Sequence, residues 1–423
     1  MGFTPSFLDE LRLRNSLVDV ISRRVKLIRR GREFTGLCPF HNEKSPSFTV
    51  SEEKGFYHCF GCGAHGDVIT FIMEKEGLTF PEAVERLAHD AGMEMPEWTP
   101  QDKEKEKARA GLADVNEAAA SWFQDQLVSG RGSAARTYVQ KRGLKENTIR
   151  SFALGYAPSG RTLLKQALEA KGFDEALCIE AGLLIKPEDG ESFDRFRNRL
   201  MFPIRDRRGR VIAFGGRAMD ADAPAKYLNS PETPLFHKGT TLYNLDLAQK
   251  AARDQAQIIV AEGYMDVIAL SEGGLSHAVA PLGTALTEDQ LRMLWRLSPE
   301  PLLCFDGDKA GIRAAFRAAE RALPMLKPGY SLRFALLPDG EDPDTLIRRQ
   351  GRQAVEQVLE RATPLMDLLW DHLLEQADLS TPERRAALSK NAYSYARQVQ
   401  DNDVRRFYED EIRTRLDLSL IHI

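Results

Sequence analysis

The sequence predicts a multidomain protein of mixed α+β and α/β class, and three observations lead to this fold class. The chain has 423 residues, and at roughly 100–200 residues per domain this length suggests two to four domains. Residues 34–62 alternate short apolar segments with Gly, Pro and Asn, which is typical of a small β-ribbon domain. Residues 256–340 alternate continuous apolar strands with helices, which indicates a parallel sheet covered on both faces.

The composition is that of an ordinary globular protein, with 43% hydrophobic residues, 28% charged residues and a net charge of −4. There is no apolar run long enough for a transmembrane helix, and the first residues lack the apolar stretch of a secretory signal. Five cysteines are an odd number, which argues against a disulfide framework. We therefore expect a cytoplasmic protein without membrane attachment.

Changes in composition predict the domain boundaries. Residues 99–110 are almost purely charged, so they form either an interdomain linker or an exposed helix. The last six residues, LSLIHI, match what a transposon sequencing adapter encodes, and we expect them to be read-through on a truncated gene, with a genuine C-terminus as the alternative. The predicted domains are a ribbon domain (1–98), a linker (99–110), a mixed α/β subdomain (111–255), a parallel-sheet subdomain (256–344), a helical subdomain (345–417) and the adapter-encoded tail (418–423).

Two short motifs predict a metal site in the ribbon domain. CPFH begins at residue 38 and CFGC begins at residue 59, and each motif spaces two ligands by two residues. Thiolates and an imidazole suit tetrahedral Zn²⁺, and four protein ligands leave no open position, so the predicted zinc is structural. The predicted ligands are Cys38, His41, Cys59 and Cys62. Unligated thiols or a redox pair are the alternatives, and His58 and His65 are rival ligands.

Acidic residues follow three of the predicted parallel strands. Because the carboxyl ends of parallel strands meet at one edge of a sheet, these residues should lie close together. They are Glu262 after IIVA, Asp306 and Asp308 after LLCF, and Glu341, Asp342 and Asp344 after SLRFALLP. Carboxylate oxygens select Mg²⁺ or Mn²⁺, and such a site fits phosphoryl or nucleotidyl chemistry. A single acid after a strand is commonly a helix cap, but three sets in register favour a metal site.

A basic, glycine-rich region lies between the linker and the parallel sheet. Residues 192–217 hold eight Arg against two acids, which is typical of a phosphate-binding surface or of a plain solvated face. Arg195, Arg197 and Arg199 alternate and would share one face of a strand. Gly215 and Gly216 would let a phosphate approach the backbone. Lys226 and Lys238 are further candidates for binding a triphosphate. Aromatic residues of the ribbon (Phe48, Phe56, Tyr57 and Phe60) suit either base stacking or a domain core.

Taken together, these motifs resemble those of the bacterial DNA primases. CPFHNEKSPSF with FYHCFGCGAHGD is similar to the zinc-ribbon signature of that family. RFRNRLMFPI, FGGR, KYLNSPETPLFHKG, VAEGYMD, PLGTAL, FDGDKAG and DGEDPD resemble its polymerase domain in the same order, and the acidic edge resembles a Toprim fold. The resemblance covers the chain from about residue 4 to residue 417.

The resemblance implies a DNA-directed RNA polymerase that makes short RNA primers de novo on single-stranded DNA by metal-assisted nucleotidyl transfer. Glu262 would act as general base or metal ligand, and Asp306 and Asp308 would hold the metals. The full acidic metal site would comprise Glu262, Asp266, Asp306, Asp308, Asp342 and Asp344. The basic residues that guide template and nucleoside triphosphates would be Arg142, Arg217, Lys226 and Lys238. One structural Zn²⁺ and two or more Mg²⁺ or Mn²⁺ ions are the implied cofactors.

The resemblance also implies partners. The template is single-stranded DNA, the substrates are ribonucleoside triphosphates, and a zinc ribbon would help to recognise template start sites. In this family a C-terminal helical domain binds the replicative helicase, and we expect that docking domain to be missing from this chain. A single-stranded DNA-binding protein is a further candidate partner, and a monomer is the expected state.

Three other functions fit parts of the pattern. A phage-type primase–helicase would continue into a helicase with a phosphate-binding loop, and no G-x-x-x-x-G-K-[ST] occurs in the chain. A topoisomerase or nuclease could use the same acidic edge, but no tyrosine is marked out as a nucleophile. A zinc module that only binds single-stranded DNA would not need the carboxylates. Mutation of Asp306 separates the last function from the enzymatic ones.

Overall fold

The structure is a computed structural model that describes residues 3, 5–31, 33–52, 54–95, 100–283 and 285–421. It divides the chain into two compact units, residues 1–107 and residues 108–423. Within the described ranges, no helix is both long enough and apolar enough to cross a membrane.

The first unit is an antiparallel sheet with two helices before it in sequence and two helices after it. The strand order is β1-β2-β3-β4-β5, and every neighbouring pair is antiparallel. The strands are β1 (Ile28–Arg30), β2 (Glu33–Gly36), β3 (Phe48–Ser51), β4 (Phe56–Cys59) and β5 (His65–Gly66). The helices are α1 (Pro5–Arg14), α2 (Leu17–Ser22), α3 (Val68–Glu76) and α4 (Phe80–Asp90).

Local side-chain chemistry fixes where α3 and α4 begin. Asp67 caps α3, because its carboxylate accepts a hydrogen bond from the backbone amide of Thr70 over 2.9 Å. Thr79 and Glu82 form a capping box at the start of α4. Gly77 ends α3 in the left-handed conformation, with φ at 67°. The sequence pattern predicts helices over 67–75 and 80–91, and the observed bounds agree within one residue.

Aromatic rings fill the core of the first unit. Phe48 and Tyr57 are fully buried, and the ring centroids of Phe40 and Tyr57 lie 5.8 Å apart. Phe56 and Phe60, in contrast, are 39% and 77% exposed. Of the aromatic residues that the sequence offered for base stacking, two therefore belong to the core and two face solvent.

One helix, α5 (Pro100–Val128), runs across the boundary between the two units. The charged segment from residue 100 onward is thus helical, as in the second of the two interpretations, while residue 99 lies outside the described residues. A helix is favoured here because residues 101–110 lack Gly and Pro and are rich in Glu, Lys, Arg and Ala, which are good helix formers.

The second unit begins with a mixed α/β region. Its main sheet is antiparallel, in the order β11-β10-β9-β6, and β7 pairs with β8 in a separate hairpin. The strands are β6 (Gly155–Ala157), β7 (Leu184–Ile185), β8 (Phe193–Asp194), β9 (Arg199–Arg205), β10 (Val211–Ala218) and β11 (Tyr227–Asn229). The helices are α6 (Ser133–Lys141), α7 (Glu146–Ser151), α8 (Leu163–Glu169), α9 (Glu175–Glu180) and α10 (Leu245–Gln255). Short 3₁₀ turns lie at Gly130–Gly132 and Lys238–Thr240.

The alternating arginines do not share the face of one strand, which corrects the prediction. Arg195 and Arg197 lie between β8 and β9, and Asn198 breaks the extended backbone with φ at 46°. Arg199 is buried, and its guanidinium donates to the carbonyl oxygens of Gly216 (3.0 Å) and Ala225 (3.1 Å). Arg199 therefore joins strands of the sheet and does not face a template.

A parallel sheet follows, in the order β13-β12-β14-β15-β16. The first four strands are mutually parallel, whereas the edge strand β16 is antiparallel to β15. The sequence does not reveal β16. The strands are β12 (Ile259–Val260), β13 (Ala278–Val279), β14 (Leu302–Phe305), β15 (Arg333–Leu336) and β16 (Thr363–Pro364). The helices are α11 (Tyr264–Glu272), α12 (Glu288–Trp295), α13 (Lys309–Ala322) and α14 (Pro343–Gln350), with a 3₁₀ turn at Leu323–Met325.

The remaining elements are helical, as the sequence predicts for this region. They are α15 (Arg352–Glu360), α16 (Leu365–Gln376), α17 (Pro382–Gln398) and α18 (Asn402–Ile421). Trp370 packs with Ala392, Ala396 and Ile412 to form the core of these helices. The predicted tail at 418–423 begins in the last turn of α18, and residues 422–423 lie outside the described residues.

The mixed region and the parallel sheet share one core. Tyr264 at the start of α11 stacks on Phe202 of β9, with ring centroids 4.9 Å apart and planes within 11°. Gly215 makes room for this contact, since a Cβ atom there would collide with the Tyr264 ring. The glycine thus serves packing between sheet and helix, which corrects the prediction that it lets a phosphate approach the backbone. The shared core fixes the edge of the parallel sheet against the basic region.

Candidate metal centres and nucleotidyl-transfer site

The four predicted zinc ligands lie together in the first unit. One ligand atom from each of Cys38, His41, Cys59 and Cys62 lies within 4.8 Å of all the others. Backbone amides support the thiolates: those of Gly61 and Cys62 both approach the Cys59 Sγ atom at 3.4 Å. Burial raises the pKa of Cys59, but hydrogen bonds from Ser47, Cys62 and Gly61 outweigh burial and lower this pKa to about 6. Three Cys and one His at this spacing fit one tetrahedral Zn²⁺ with no open position.

Glu43 supports this centre, and the sequence did not single it out. Its Oε2 atom lies 3.3 Å from His41 Nε2, on the side of the ring away from Cys59. The same carboxylate accepts hydrogen bonds from the backbone amides of Cys38 (2.7 Å) and Ser47 (3.1 Å). A carboxylate that holds the second nitrogen of a ligating histidine orients the ring and raises its basicity. Glu43 therefore positions two of the four ligands.

The two rival histidines lie outside the cluster. His65 Nδ1 is 2.8 Å from the carbonyl oxygen of Gly63, and His58 packs edge-on against Phe60 with centroids 4.6 Å apart. Neither belongs to the group of close ligand atoms. The described residues thus contain the zinc set that the motif spacing predicts.

The acidic residues meet at the carboxyl edge of the parallel sheet. The backbone amide of Asp306 donates to Glu262 Oε1 over 3.0 Å, which joins the ends of β14 and β12. Five of the predicted acids line one cavity of about 280 Å³. They are Glu262, Asp266, Asp306, Asp342 and Asp344. Asp308 does not line this cavity and is exposed at the start of α13.

Two of these acids cap helices, which is the alternative that the sequence set against a metal site. Asp308 Oδ1 accepts from the amides of Ala310 and Gly311, each at 2.8 Å, and so begins α13. Asp342 Oδ1 accepts from the Thr345 amide over 2.6 Å and begins α14. One oxygen of each carboxylate is held by its helix, which fixes the side chain at the edge of the sheet.

Mutual repulsion dominates the electrostatics of this edge. Burial together with the charges of Asp306, Asp342, Asp344 and Glu262 raises the pKa of Asp266 well above its ordinary value. Burial and the charge of Glu262 raise the pKa of Asp306 to about 7. Burial also raises the pKa of Glu262. The Oδ1 atom of Asp306 is buried and has no hydrogen-bond partner among the described residues. Five carboxylates outnumber the two cations that line the same cavity, Arg142 and Lys226, and a divalent cation fits the remaining negative charge.

The acidic oxygens form an open set. Apart from the zinc ligands, whose ligand atoms all lie within 4.8 Å of one another, the described residues contain no similarly close group of three or more Cys, His, Asp or Glu. Mg²⁺ usually keeps several waters and takes one or two protein carboxylates together with substrate phosphates. The wider spacing at the sheet edge suits that kind of binding, whereas the zinc ligands close a full shell.

The predicted basic residues divide into two groups. Arg142 and Lys226 line the same cavity as the carboxylates. Arg142 forms an ion pair with the buried Asp344, and Lys226 lowers the raised pKa of Asp306 in part. Arg217 packs over the ring of Tyr138 at 4.2 Å. Lys238 lies in a 3₁₀ turn, and its backbone carbonyl accepts from Gln290 over 2.9 Å. Neither Arg217 nor Lys238 is among the residues that line the cavity.

Further residues of the site were missed by sequence reasoning. Tyr264 donates its hydroxyl hydrogen to Asn229 Oδ1 over 2.7 Å, and both residues line the cavity. Asn229 in turn donates to the carbonyl oxygen of Leu282 over 3.1 Å. Arg348 is a second partner of Asp344, at 3.1 Å. Asn229 and Tyr264 lie in the KYLNS and EGYMD segments, which carry the family resemblance. Their contact could not be predicted, because it joins residues 35 positions apart in the sequence.

Comparisons with known proteins agree with this architecture. Family models match in four segments: a CHC2 zinc finger at residues 3–103, the N-terminal domain of the DNA primase catalytic core at 122–249, a Toprim domain at 256–335 and the DnaB-helicase binding domain of primase at 366–420. DNA primase of Escherichia coli K12 is 45% identical over 415 residues, which cover 97% of this chain and 71% of that protein. DNA primase of Pseudomonas putida is 45% identical over 418 residues, covering 97% of this chain and 63% of that protein.

Solved structures give the same result. A DnaG primase catalytic domain bound to single-stranded DNA is 44% identical and aligns with a TM-score of 0.66, covering 73% of this chain and 99% of that one. The zinc-binding and RNA polymerase domains of the Aquifex aeolicus primase are 30% identical, with a TM-score of 0.62, and cover 99% of this chain and 100% of that one.

A CHC2 zinc finger, the N-terminal domain of a primase catalytic core and a Toprim domain, in this order, define the primase class of nucleotidyl transferases. With the identities above, the chain belongs to the bacterial DnaG-type DNA primase family. It is an enzyme of the primase class, a DNA-directed RNA polymerase that synthesises RNA primers for replication.

The helical region requires a correction. The family resemblance led us to expect that the helicase-docking domain is missing from this chain. A model of the DnaB-helicase binding domain of primase nevertheless matches residues 366–420, which form α16, α17 and α18. A segment of this helicase-binding family is therefore present in the chain.

Proposed function

We propose that the carboxylates at the sheet edge hold two or more Mg²⁺ or Mn²⁺ ions for primer synthesis. The observation that carries this proposal is the convergence of five acids in one cavity, where the pKa values of Asp266, Asp306 and Glu262 are all raised. Divalent cations bound there would activate the attacking hydroxyl and stabilise the leaving phosphate. Asp306 and Asp308, two residues apart at the end of β14, are the principal ligands, with Asp266, Asp342 and Asp344 completing the site.

Glu262 is proposed as the general base or as an additional metal ligand. As base, its carboxylate takes the proton from the 3′-hydroxyl of the first nucleotide while the 3′ oxygen bonds to the α-phosphorus of the second and pyrophosphate leaves. Burial raises the pKa of Glu262, which makes it a better proton acceptor than an ordinary glutamate. The amide of Asp306 holds its Oε1 atom, so that the other oxygen is available for the proton.

The basic residues are proposed to guide the template and the triphosphates. Lys226 faces the carboxylates and would bind the phosphates of the incoming nucleotide. Arg142 is held by Asp344 at the wall of the cavity and would present its remaining N–H groups to a phosphate. Arg217 and Lys238 lie outside the cavity lining, so we assign them to the single-stranded DNA template.

Further parts of the chain have proposed roles in the same process. The zinc ribbon would recognise template start sites, and its exposed Phe60 would stack on a base. Helices α16 to α18 would contact the replicative helicase. We propose that the protein acts as a monomer in the bacterial cytoplasm at the replication fork, where a single-stranded DNA-binding protein is a further candidate partner.

Primer synthesis on single-stranded DNA with labelled ribonucleoside triphosphates tests the metal site. Asp306→Asn keeps the shape of the side chain but removes its charge, and we expect it to reduce synthesis by at least about 100-fold in Mg²⁺ or Mn²⁺. Asp189→Asn, at an exposed acid far along the chain from the site, is the matched control and should be unaffected. Binding of single-stranded DNA should survive in both variants. Full synthesis by Asp306→Asn would refute the proposed site.

A further inference from the structure

A second and larger cavity lies in the second unit, away from the carboxylates. It has a volume of about 780 Å³ and is formed by α12, the 3₁₀ turn with the loop before β15, and the junction of α17 with α18. It shares no lining residue with the carboxylate cavity. Tyr330 on its wall lies beside the amino ends of β14 and β15, because the amide of Ser331 donates to the carbonyl oxygen of Pro299 over 3.1 Å. The metal site lies at the opposite, carboxyl ends of these strands.

This cavity, which we call the distal groove, has an apolar floor and an aromatic wall. Trp295 and Tyr330 meet edge to face with ring centroids 6.3 Å apart. The Trp295 indole N–H donates to the carbonyl oxygen of Ser331 over 2.9 Å, so its polar atom is satisfied. Met325 and Leu326 contribute further apolar surface, and Tyr330 is 43% exposed. The groove can therefore take up a large apolar side chain from outside.

The lining of the distal groove has more positive than negative side chains: Arg292, Arg296 and Lys327 against Glu288 and Asp401. Its two acids are already engaged: Glu288 pairs with Arg292 at 2.8 Å, and Asp401 accepts hydrogen bonds from the backbone amides at the start of α18 at 3.1 Å. Arg296 and Lys327 also line the groove, and neither has an acidic partner among the described residues. Within the described residues, these two exposed cations thus lie beside the apolar floor without an ion pair.

The positive surface extends beyond the groove. Arg207, in the turn between β9 and β10, lies near Arg296 and Arg253, and the charges of these two add to burial in lowering its pKa. No ion pair to an acid holds Arg207 or Arg253 within the described part of the chain. Arg207 thus repels Arg296 and Arg253, and Arg296 shares the groove with Lys327, which makes a surface complementary to several negative charges.

We propose that the distal groove is a docking site for a protein segment that carries several Asp or Glu residues and one large apolar or aromatic side chain. The apolar side chain would enter between Trp295, Met325 and Tyr330, and the acidic residues would pair with Arg296 and Lys327. A nucleic acid fits this groove less well, because its bases would have to enter a floor of Met, Leu and Pro side chains.

Fluorescence anisotropy with the full chain tests the docking site. The probe is a short fluorescein-labelled peptide of Asp and Glu residues with one central Phe. We expect saturable binding that weakens at least about tenfold in Arg296→Glu and in Tyr330→Ser. The same peptide with Ala in place of Phe, and a Lys-rich peptide with Phe, should each bind at least about tenfold more weakly.

The matched control is Lys171→Glu, which reverses an exposed charge outside the groove and should leave peptide binding unchanged. Primer synthesis by all of these variants should remain at the wild-type level, which shows that the second unit is folded. The proposal is overturned if the acidic peptide does not saturate, if Arg296→Glu binds it as well as wild type, or if an oligothymidylate competes with it at this groove more strongly than unlabelled peptide does.

Discussion

The Oε1 atom of Glu262 accepts a hydrogen bond of 3.0 Å from the backbone amide of Asp306. This bond connects the residues that follow two neighbouring parallel strands, β12 and β14, and so brings their side chains to one point. It stabilises the charged form of Glu262, while burial and the exposed carboxylate of Asp308 oppose that form. A backbone hydrogen bond thus keeps several carboxylates close together at the edge of the sheet, and their repulsion should affect the stability of the fold.

The first prediction concerns pH and magnesium. The pKa of Asp306 is raised in the folded protein from 3.8 to about 7, so the folded state binds more protons than the unfolded state between these values. The stability that protonated Asp306 contributes is complete below about pH 4 and is lost as the pH rises through about 7. Relative to Asp306→Asn, wild type in magnesium-free buffer should therefore lose about 1 kcal/mol, or roughly 2–4 °C in Tm, between pH 5 and 8.

Magnesium should restore this loss in wild type and have little effect in Asp306→Asn, because the cation neutralises the carboxylates. The measurement is thermal unfolding of the second unit across the pH range, in buffer depleted of metals by resin, since a soluble chelator would also remove the zinc. Parallel pH profiles for the two proteins would contradict the electrostatic account of the site.

A second prediction concerns the zinc centre. Glu43→Gln removes the charge beside His41 Nε2, so the imidazole should be a weaker ligand and less firmly oriented. We expect zinc affinity to fall by about 10–100-fold, measured by competition with a chromophoric chelator. Glu85→Gln, at an exposed glutamate on α4 of the same unit, is the matched control. Equal affinity in the two variants would show that Glu43 has no role in holding the metal.

A third prediction concerns the contact that joins the two parts of the second unit. Gly215→Ala places a methyl group against the ring of Tyr264, which is held between Phe202, Tyr243 and Asn229. Because this ring cannot move away cheaply, we expect a loss of about 1–3 kcal/mol in the free energy of unfolding. Gly239→Ala is the control, since its nearest neighbour would be Thr287 Cγ2 at 3.7 Å. An unchanged free energy of unfolding in Gly215→Ala would mean that the Tyr264 ring can move away from residue 215 at little cost.

The part of the site that depends on local spacing could be predicted from the sequence. Two ligand pairs of the form C-x-x-H and C-x-x-C place all four zinc ligands, because each pair is held by one tight turn. The rule for parallel strands brings Glu262, Asp306 and Asp342 together, because it depends only on strand direction.

The rest depends on contacts that no local pattern encodes. Arg199 looked like a phosphate ligand but is buried against carbonyl oxygens, because the chain bends at Asn198 before β9 begins. No sequence pattern singled out Glu43, which the fold places against His41. The role of Gly215 likewise became clear only with the ring of Tyr264 in place.

The last prediction concerns an ion pair across 202 residues of sequence, between Arg142 at the end of α6 and the buried Asp344 of α14. Arg142→Ala leaves Asp344 with Arg348 as its remaining cation, so we expect a loss of about 1–3 kcal/mol in the free energy of unfolding, less than for a pair with no second partner. Adding Asp344→Asn removes the unpaired charge and should recover part of this loss, which urea unfolding of both single variants and the double variant measures. Arg150→Ala, which breaks an exposed pair with Glu146, should cost less than about 1 kcal/mol. Additive losses in the double variant would mean that Arg142 and Asp344 are not coupled, and that the wall of the carboxylate cavity is held by Arg348 alone.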